Sequence, residues 1–153
     1  MLALVSVALV LACAPEPGSQ ALGLGAAGPG PLQLTLRSDR QDYARGEPAI
    51  LTLTVRNRGS APVTVTAPSS QLYDFALSRD GTEVWRWSEG KAFLMMISEW
   101  TLPPGGAREF SVRWDQRDRE GRPVAPGPYV VEARLIGGEQ VSLAPAPISI
   151  TIR

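Results

Sequence analysis

The chain has 153 residues, with 15 basic and 15 acidic side chains, no histidine and one cysteine. A net charge of zero lacks the basic footprint of a nucleic-acid binder. The missing histidine excludes Ser-His-Asp and Cys-His nucleophile systems and imidazole metal ligation, and a single cysteine excludes an intramolecular disulfide or a cysteine-cluster zinc site.

Residues 1–12, MLALVSVALVLA, are apolar apart from Ser6. They fall short of the roughly 20 residues that span a hydrocarbon core, and they match the length of a signal-peptide apolar region. The run ends in Val10-Leu11-Ala12-Cys13, which resembles a bacterial lipobox, where the cysteine thiol is lipidated and becomes the mature N-terminus. The resemblance implies an exported protein held to the membrane only through a lipid on Cys13; secretion behind a plain signal peptide is the alternative. Nine of the eighteen residues 14–31 are Gly or Pro, a composition that reads as a tether. Three segments are therefore expected: a signal peptide over 1–13, a tether over 14–31 and one folded unit over 32–153.

From residue 32 the hydrophobic period is two. Leu32, Leu34 and Leu36 alternate with polar residues, as do Leu51, Leu53 and Val55; Val63 and Val65; Phe110, Val112 and Trp114; and Ile148, Ile150 and Ile152, while Tyr73, Phe75 and Leu77 alternate with Asp74, Ala76 and Ser78, and Tyr129, Val131, Ala133 and Leu135 with Val130, Glu132 and Arg134. Each predicts a strand with one buried and one wet face. Gly- and Pro-containing turns separate them, and no window of ten residues carries a helical stripe. The pattern predicts an all-β fold, an Ig-like antiparallel β-sandwich of seven to nine strands.

One hairpin is readable in detail. Residues 73–78 and 82–87 flank Arg79-Asp80-Gly81. A two-residue Asp-Gly turn would pair Leu77 with Val84 and put Trp85 and Trp87 on the face opposite Phe75. A three-residue loop with Gly81 in the left-handed position would pair Phe75 with Trp85 and Tyr73 with Trp87, gathering the aromatics on one face. The second is the expectation.

Three stretches are distinctive: Ser69-Ser70-Gln71-Leu72-Tyr73-Asp74-Phe75, Gly81-Thr82-Glu83-Val84-Trp85-Arg86-Trp87-Ser88, and Lys91-Ala92-Phe93. With Leu102-Pro103-Pro104-Gly105, Trp114-Asp115 and Pro126-Gly127-Pro128-Tyr129, they resemble the BsuPI domain, the intracellular proteinase inhibitor family of bacilli, over about residues 32–136. The resemblance implies an Ig-like sandwich that binds and inhibits a subtilisin-type serine protease without catalysis. The matching aromatics Tyr73, Phe75, Trp85 and Trp87 are expected to be structural, buried against one another; an exposed stacking platform at Trp85 and Trp87 is the other reading. Residues 114–129 are also similar to the end of the Ig-like domain of flagellar hook-capping proteins, which implies the same sandwich.

The most apolar stretch of the domain is Phe93-Leu94-Met95-Met96-Ile97. If the chain inhibits like a substrate, Phe93, Leu94, Met95 and Met96 form the protease-contact segment, with Leu94, Met95 or Met96 entering the S1 pocket and the main chain pairing as an added strand. The other reading is a strand buried on both faces. The mixed-sign run Arg113 to Arg122 reads as a solvated hairpin loop, and its Asp115, Asp118 and Glu120 lack calcium-loop spacing. Nothing selects Asp39 with Asp42, or Glu83 with Glu89, over other surface acids for glycoside chemistry. The expectation is a monomeric, non-enzymatic protein with no cofactor and no metal; an Ig-like cell-envelope module without inhibitory activity is the alternative.

Overall fold

The computed structural model describes residues 26–27, 30–137 and 143–153; Cys13, the leader and most of the expected tether lie outside the described residues. Eleven strands follow in order: β1 (Ala26–Ala27), β2 (Leu32–Ser38), β3 (Asp42–Tyr43), β4 (Ala49–Asn57), β5 (Val63–Ala67), β6 (Tyr73–Arg79), β7 (Thr82–Arg86), β8 (Ser98–Leu102), β9 (Ala107–Trp114), β10 (Gly127–Leu135) and β11 (Ile148–Ile152). Nine have five residues or more, and there is no helix among the described residues.

One sheet runs β1-β2-β4-β9, the other β3-β11-β10-β6-β7, and β5 with β8 forms a two-stranded ribbon. All pairings are antiparallel except β11 with β3. Within the stretch expected as a tether, Ala26 and Ala27 pair with Thr35 and Leu34 of β2, and the Pro31 carbonyl accepts from the Arg58 N–H.

The alternating sequence becomes alternating burial. Along β10, Tyr129, Val131, Ala133 and Leu135 are buried while Val130, Glu132 and Arg134 face water. The two inner faces meet in a core of leucine, valine and isoleucine with Tyr43, Phe75, Phe110, Trp114 and Tyr129. Fully burying each such aliphatic or aromatic side chain contributes about 1.5–3 kcal/mol. Aromatic contacts cross between the sheets: Tyr73 to Phe110 at 4.8 Å, Trp85 to Trp114 at 6.4 Å and Trp114 to Tyr129 at 5.6 Å between ring centroids. The Tyr129 hydroxyl donates to the Ala125 carbonyl at 2.6 Å, a backbone four residues upstream, which is the tyrosine corner of Ig-like sandwiches.

Two buried amides fasten the ends. Asn57 closes β4 and donates through Nδ2 to the carbonyls of Ala61 and Leu102, tying the β5–β8 ribbon to the four-stranded sheet. Gln116 takes a positive φ of 55°; its Nε2 donates to the Ala44 and Glu47 carbonyls and its Oε1 accepts from the Gly46 N–H. These pairings satisfy polar groups that would otherwise cost about 1–3 kcal/mol each in the interior.

The β6–β7 hairpin departs from expectation. Arg79 pairs with Thr82, leaving Asp80-Gly81 as a two-residue turn with φ of 50° and 77°, the type I′ geometry whose twist suits a hairpin. Leu77, not Phe75, pairs with Trp85, and the register slips between Leu77 and Ser78 because Val84 is an extra residue on β7. That bulge absorbs the one-residue slip that would turn the tryptophans outward. Trp85 and Trp87 therefore share the face of Phe75 and Tyr73, as the three-residue loop also required, but by a different turn and register.

Candidate functional site

The sequence between β7 and β8, residues 87–97, leaves the sandwich as an irregular loop. Its departure point is built around Asp74. This carboxylate is buried: Oδ1 accepts from the N–H groups of Phe75 and Ser88, at 2.9 and 3.2 Å, and Oδ2 from Arg86 Nη1 and Ser88 Oγ, both at 2.8 Å. Arg86 also pairs with Glu83, and these bonds, that to Glu83 first, raise the guanidinium pKa above its ordinary value. One carboxylate thus joins the start of β6, the end of β7 and the first turn of the loop.

Above this staple runs a ladder of rings. Phe93 lies 5.9 Å from Trp87, Trp87 stacks on Tyr73 at 4.4 Å, Tyr73 meets Phe110 at 4.8 Å, and Phe110 meets Trp100 at 6.0 Å. Its ends, Phe93 and Trp100, bracket the loop on both sides. Cations cap it: Lys91 Nζ sits 5.1 Å from the Trp87 ring centroid, and the Arg108 guanidinium 4.9 Å from that of Trp100. Such contacts contribute about 0.5–1 kcal/mol at exposed sites. Burial raises the Tyr73 phenol above its ordinary pKa, so it stays neutral inside the ladder.

A third anchor comes from β6's approach. The Leu94 N–H donates to Ser70 Oγ at 2.9 Å, and the Ser70 N–H donates to the Leu94 carbonyl at 2.9 Å. Both backbone polar groups of Leu94 are held, and its side chain is left outside.

Beyond that clamp the chain is bare. Leu94 is 67%, Met95 90%, Met96 53% and Ile97 70% exposed. The segment is neither a strand nor buried, which overturns the reading of Phe93–Ile97 as a strand buried on both faces. The strand begins one residue later, at Ser98. Of the four contact candidates, Phe93 is a half-buried root in the ladder, while Leu94, Met95 and Met96 form the tip together with Ile97, which the sequence reading left out. Residues 92–98 carry no charge. Trp85 and Trp87 are half-buried against the core.

The carboxylates of Asp39, Asp42, Glu83, Glu89, Asp115, Asp118 and Glu120 are occupied. Asp115 pairs with Arg113, and Asp118 and Glu120 with Arg122. Asp42 pairs with Arg153, Glu83 with Arg86 and Arg119, and Glu89 with Arg119. Asp39 accepts from the Tyr43 hydroxyl and the Ile50 N–H. Among the described residues no group of three potential metal ligands comes together.

Ser70, Asp74, Phe110 and Trp100 were the missed members. Ser70 and Asp74 stood in the distinctive series without a role. Trp100 and Leu102 alternate with Glu99 and Thr101, a strand signal hidden beside a stronger apolar run.

In overall shape the chain is similar to Pseudomonas fluorescens alkylpurine DNA glycosylase AlkC bound to DNA containing an abasic site analog, at 16% identity and a TM-score of 0.51 over 84% of this chain and 32% of that one. It is also similar to a β-glucosidase from Erythrobacter marinus, at 16% identity and 0.47 over 80% of this chain and 15% of that one. A third is the CARDB domain of a Pyrococcus furiosus protein in complex with di-metal ions, at 14% identity and 0.43 over 79% and 91%. The chain spans about a third or less of the first two proteins, and likeness at such identity concerns the fold alone. No curated protein matches the chain. The family model described as intracellular proteinase inhibitor matches residues 36–140, a span that holds the staple, the ladder and the whole exposed loop; the chain belongs to the BsuPI family.

Proposed function

We propose that the domain is a non-catalytic inhibitor of subtilisin-type serine proteases and that residues 93–97 are its contact loop. The observation that carries this reading is an uncharged apolar tip, exposed yet mounted at Phe93, Leu94 and Trp100. An exposed apolar patch marks a site of interaction, and mounting it in advance lowers the conformational entropy lost on binding. Met95 or Met96 fills the apolar S1 pocket, while the free main chain of 95–97 pairs with the protease as an added strand. Membership of an inhibitor family supports a binding role in place of turnover. The sequence supports an exported chain anchored by a lipid on Cys13.

Titration of the full chain against a subtilisin-type protease tests the reading. Stoichiometric loss of protease activity is expected; no inhibition across a panel of serine proteases refutes it and leaves the cell-envelope module. The Met95→Asp/Met96→Asp double variant places a charge where an apolar pocket must receive a side chain, so it abolishes inhibition. Both side chains are exposed, so unfolding free energy shifts by no more than about 0.5 kcal/mol. Mass analysis of the mature N-terminus tests the anchor: an acylated Cys13 supports it, and an N-terminus elsewhere removes it.

A further inference from the structure

The chain has three methionines. Met1 lies outside the described residues, and the other two stand side by side at the tip of the 93–97 loop, 90% and 53% exposed. None of the buried hydrophobic residues is a methionine, although this flexible side chain commonly fills gaps in cores. We infer that Met95 and Met96 form a reversible oxidation site that switches the loop's apolar contact off; the switching rests on the inhibitory role proposed above.

The geometry makes the thioethers the open target. The described residues contain neither cysteine nor histidine, so no thiolate competes for oxidant there. In the reaction with hydrogen peroxide, a sulfur lone pair attacks one peroxide oxygen, the O–O bond breaks, and the proton of the transferred oxygen passes to the second oxygen, which leaves as water. The sulfur loses two electrons and becomes a sulfoxide, and the peroxide gains them. A dithiol acting through methionine sulfoxide reductase reverses the step: the sulfoxide oxygen leaves as water and the dithiol closes to a disulfide.

The consequence differs at the tip and in the scaffold. A sulfoxide is a strong acceptor, and an apolar pocket offers it no donor, so entry strips its hydration without replacement. Met95 and Met96 stand beyond the Leu94–Ser70 clamp and outside the aromatic ladder, so the mount stays as it is. Oxidation therefore weakens binding by about tenfold or more and leaves the melting transition in place.

The test treats the full chain with hydrogen peroxide and measures three things: the mass of the tryptic peptide 92–108, which holds both methionines, the melting transition, and the inhibition constant against a subtilisin-type protease. Expected are added oxygen on Met95 and Met96, unchanged melting, an inhibition constant raised about tenfold or more, and recovery after methionine sulfoxide reductase with dithiothreitol. In the Met95→Leu/Met96→Leu variant the inhibition constant, whatever its starting value, does not move with peroxide. Methionines that resist peroxide while free methionine is consumed overturn the inference, as does oxidation that leaves a working inhibitor unchanged. A chain that fails to inhibit before any peroxide removes the inhibitory role itself, and the switch with it.

Discussion

Asp74→Ala removes the acceptor on which the loop's departure point is built. Four donors lose a partner: the Phe75 and Ser88 N–H groups, the Ser88 hydroxyl and Arg86 Nη1. A hydrogen bond to a charged group is worth about 1.5–3 kcal/mol net. The arginine bond counts for less, because its side chain is about a third exposed at 31% and keeps Glu83 as a partner. The bonds share one carboxylate and do not add, so the expected loss is about 2–4 kcal/mol. Asp74→Asn keeps an oxygen for the Phe75 and Ser88 amides but turns an NH2 toward Arg86, and costs less, about 1–2 kcal/mol. Urea unfolding of the purified chain, followed by tryptophan fluorescence, reads both values at constant slope. Hydrogen exchange of the alanine variant should show faster exchange at Ser88 and Leu94 than at the amides of β10. An alanine variant losing less than about 1 kcal/mol, or loop amides unchanged in exchange, refutes the staple.

Other perturbations separate the mount from the scaffold. Ser70→Ala removes one of the two bonds that hold Leu94; its N–H turns to water, so stability changes by no more than about 0.5 kcal/mol. The same variant must re-order the tip on binding, at about 1–2 kcal/mol per fixed residue, so protease titration should show inhibition about five- to thirtyfold weaker. Tyr129→Phe deletes the corner bond to Ala125 and lowers stability by about 1–2 kcal/mol in the same urea assay. Burial, then the Asp39 hydrogen bond, pushes the Tyr43 phenol from 10.0 up to about 12. A folded-state value above the unfolded one means stability fully present below pH 10 and lost as pH rises toward 12, by about 2 kcal/mol. Alkaline unfolding of Tyr43→Phe should show a shallower fall over that window.

The sandwich was legible because one rule, period two, runs through strands such as β2, β9 and β10, although β6 buries four residues in a row from Asp74 to Leu77. What escaped were features that no local pattern encodes. β3 is two residues long and exists only because Asp42 and Tyr43 lie parallel to Thr151 and Ile152, more than a hundred positions away. The hairpin's Asp-Gly turn was visible, but the Val84 bulge that reconciles it with inward tryptophans is a compromise between turn and core. The Phe93–Ile97 run was singled out by composition, yet apolar composition fits a buried strand as well as an exposed loop. What decides is the clamp from Ser70, 24 positions earlier, and the ring ladder reaching Phe110 and Trp100.

That division explains what the distinctive residues are for. Ser70, Tyr73, Asp74, Trp87 and Phe93 are scattered over 24 positions and read one by one as turn or core residues. In space they converge on the root of one loop: a clamp, two rings of the ladder, a staple and the ring that starts the exposed run. None of them lies at the exposed tip. The tip's side chains are mostly exposed, so they contribute little to folding. The loop is split between a mount tied into the core and a tip exposed to water. Changes at Met95 and Met96 should therefore alter which partner is bound without altering the fold, whereas changes at Asp74 or Tyr73 should alter both together.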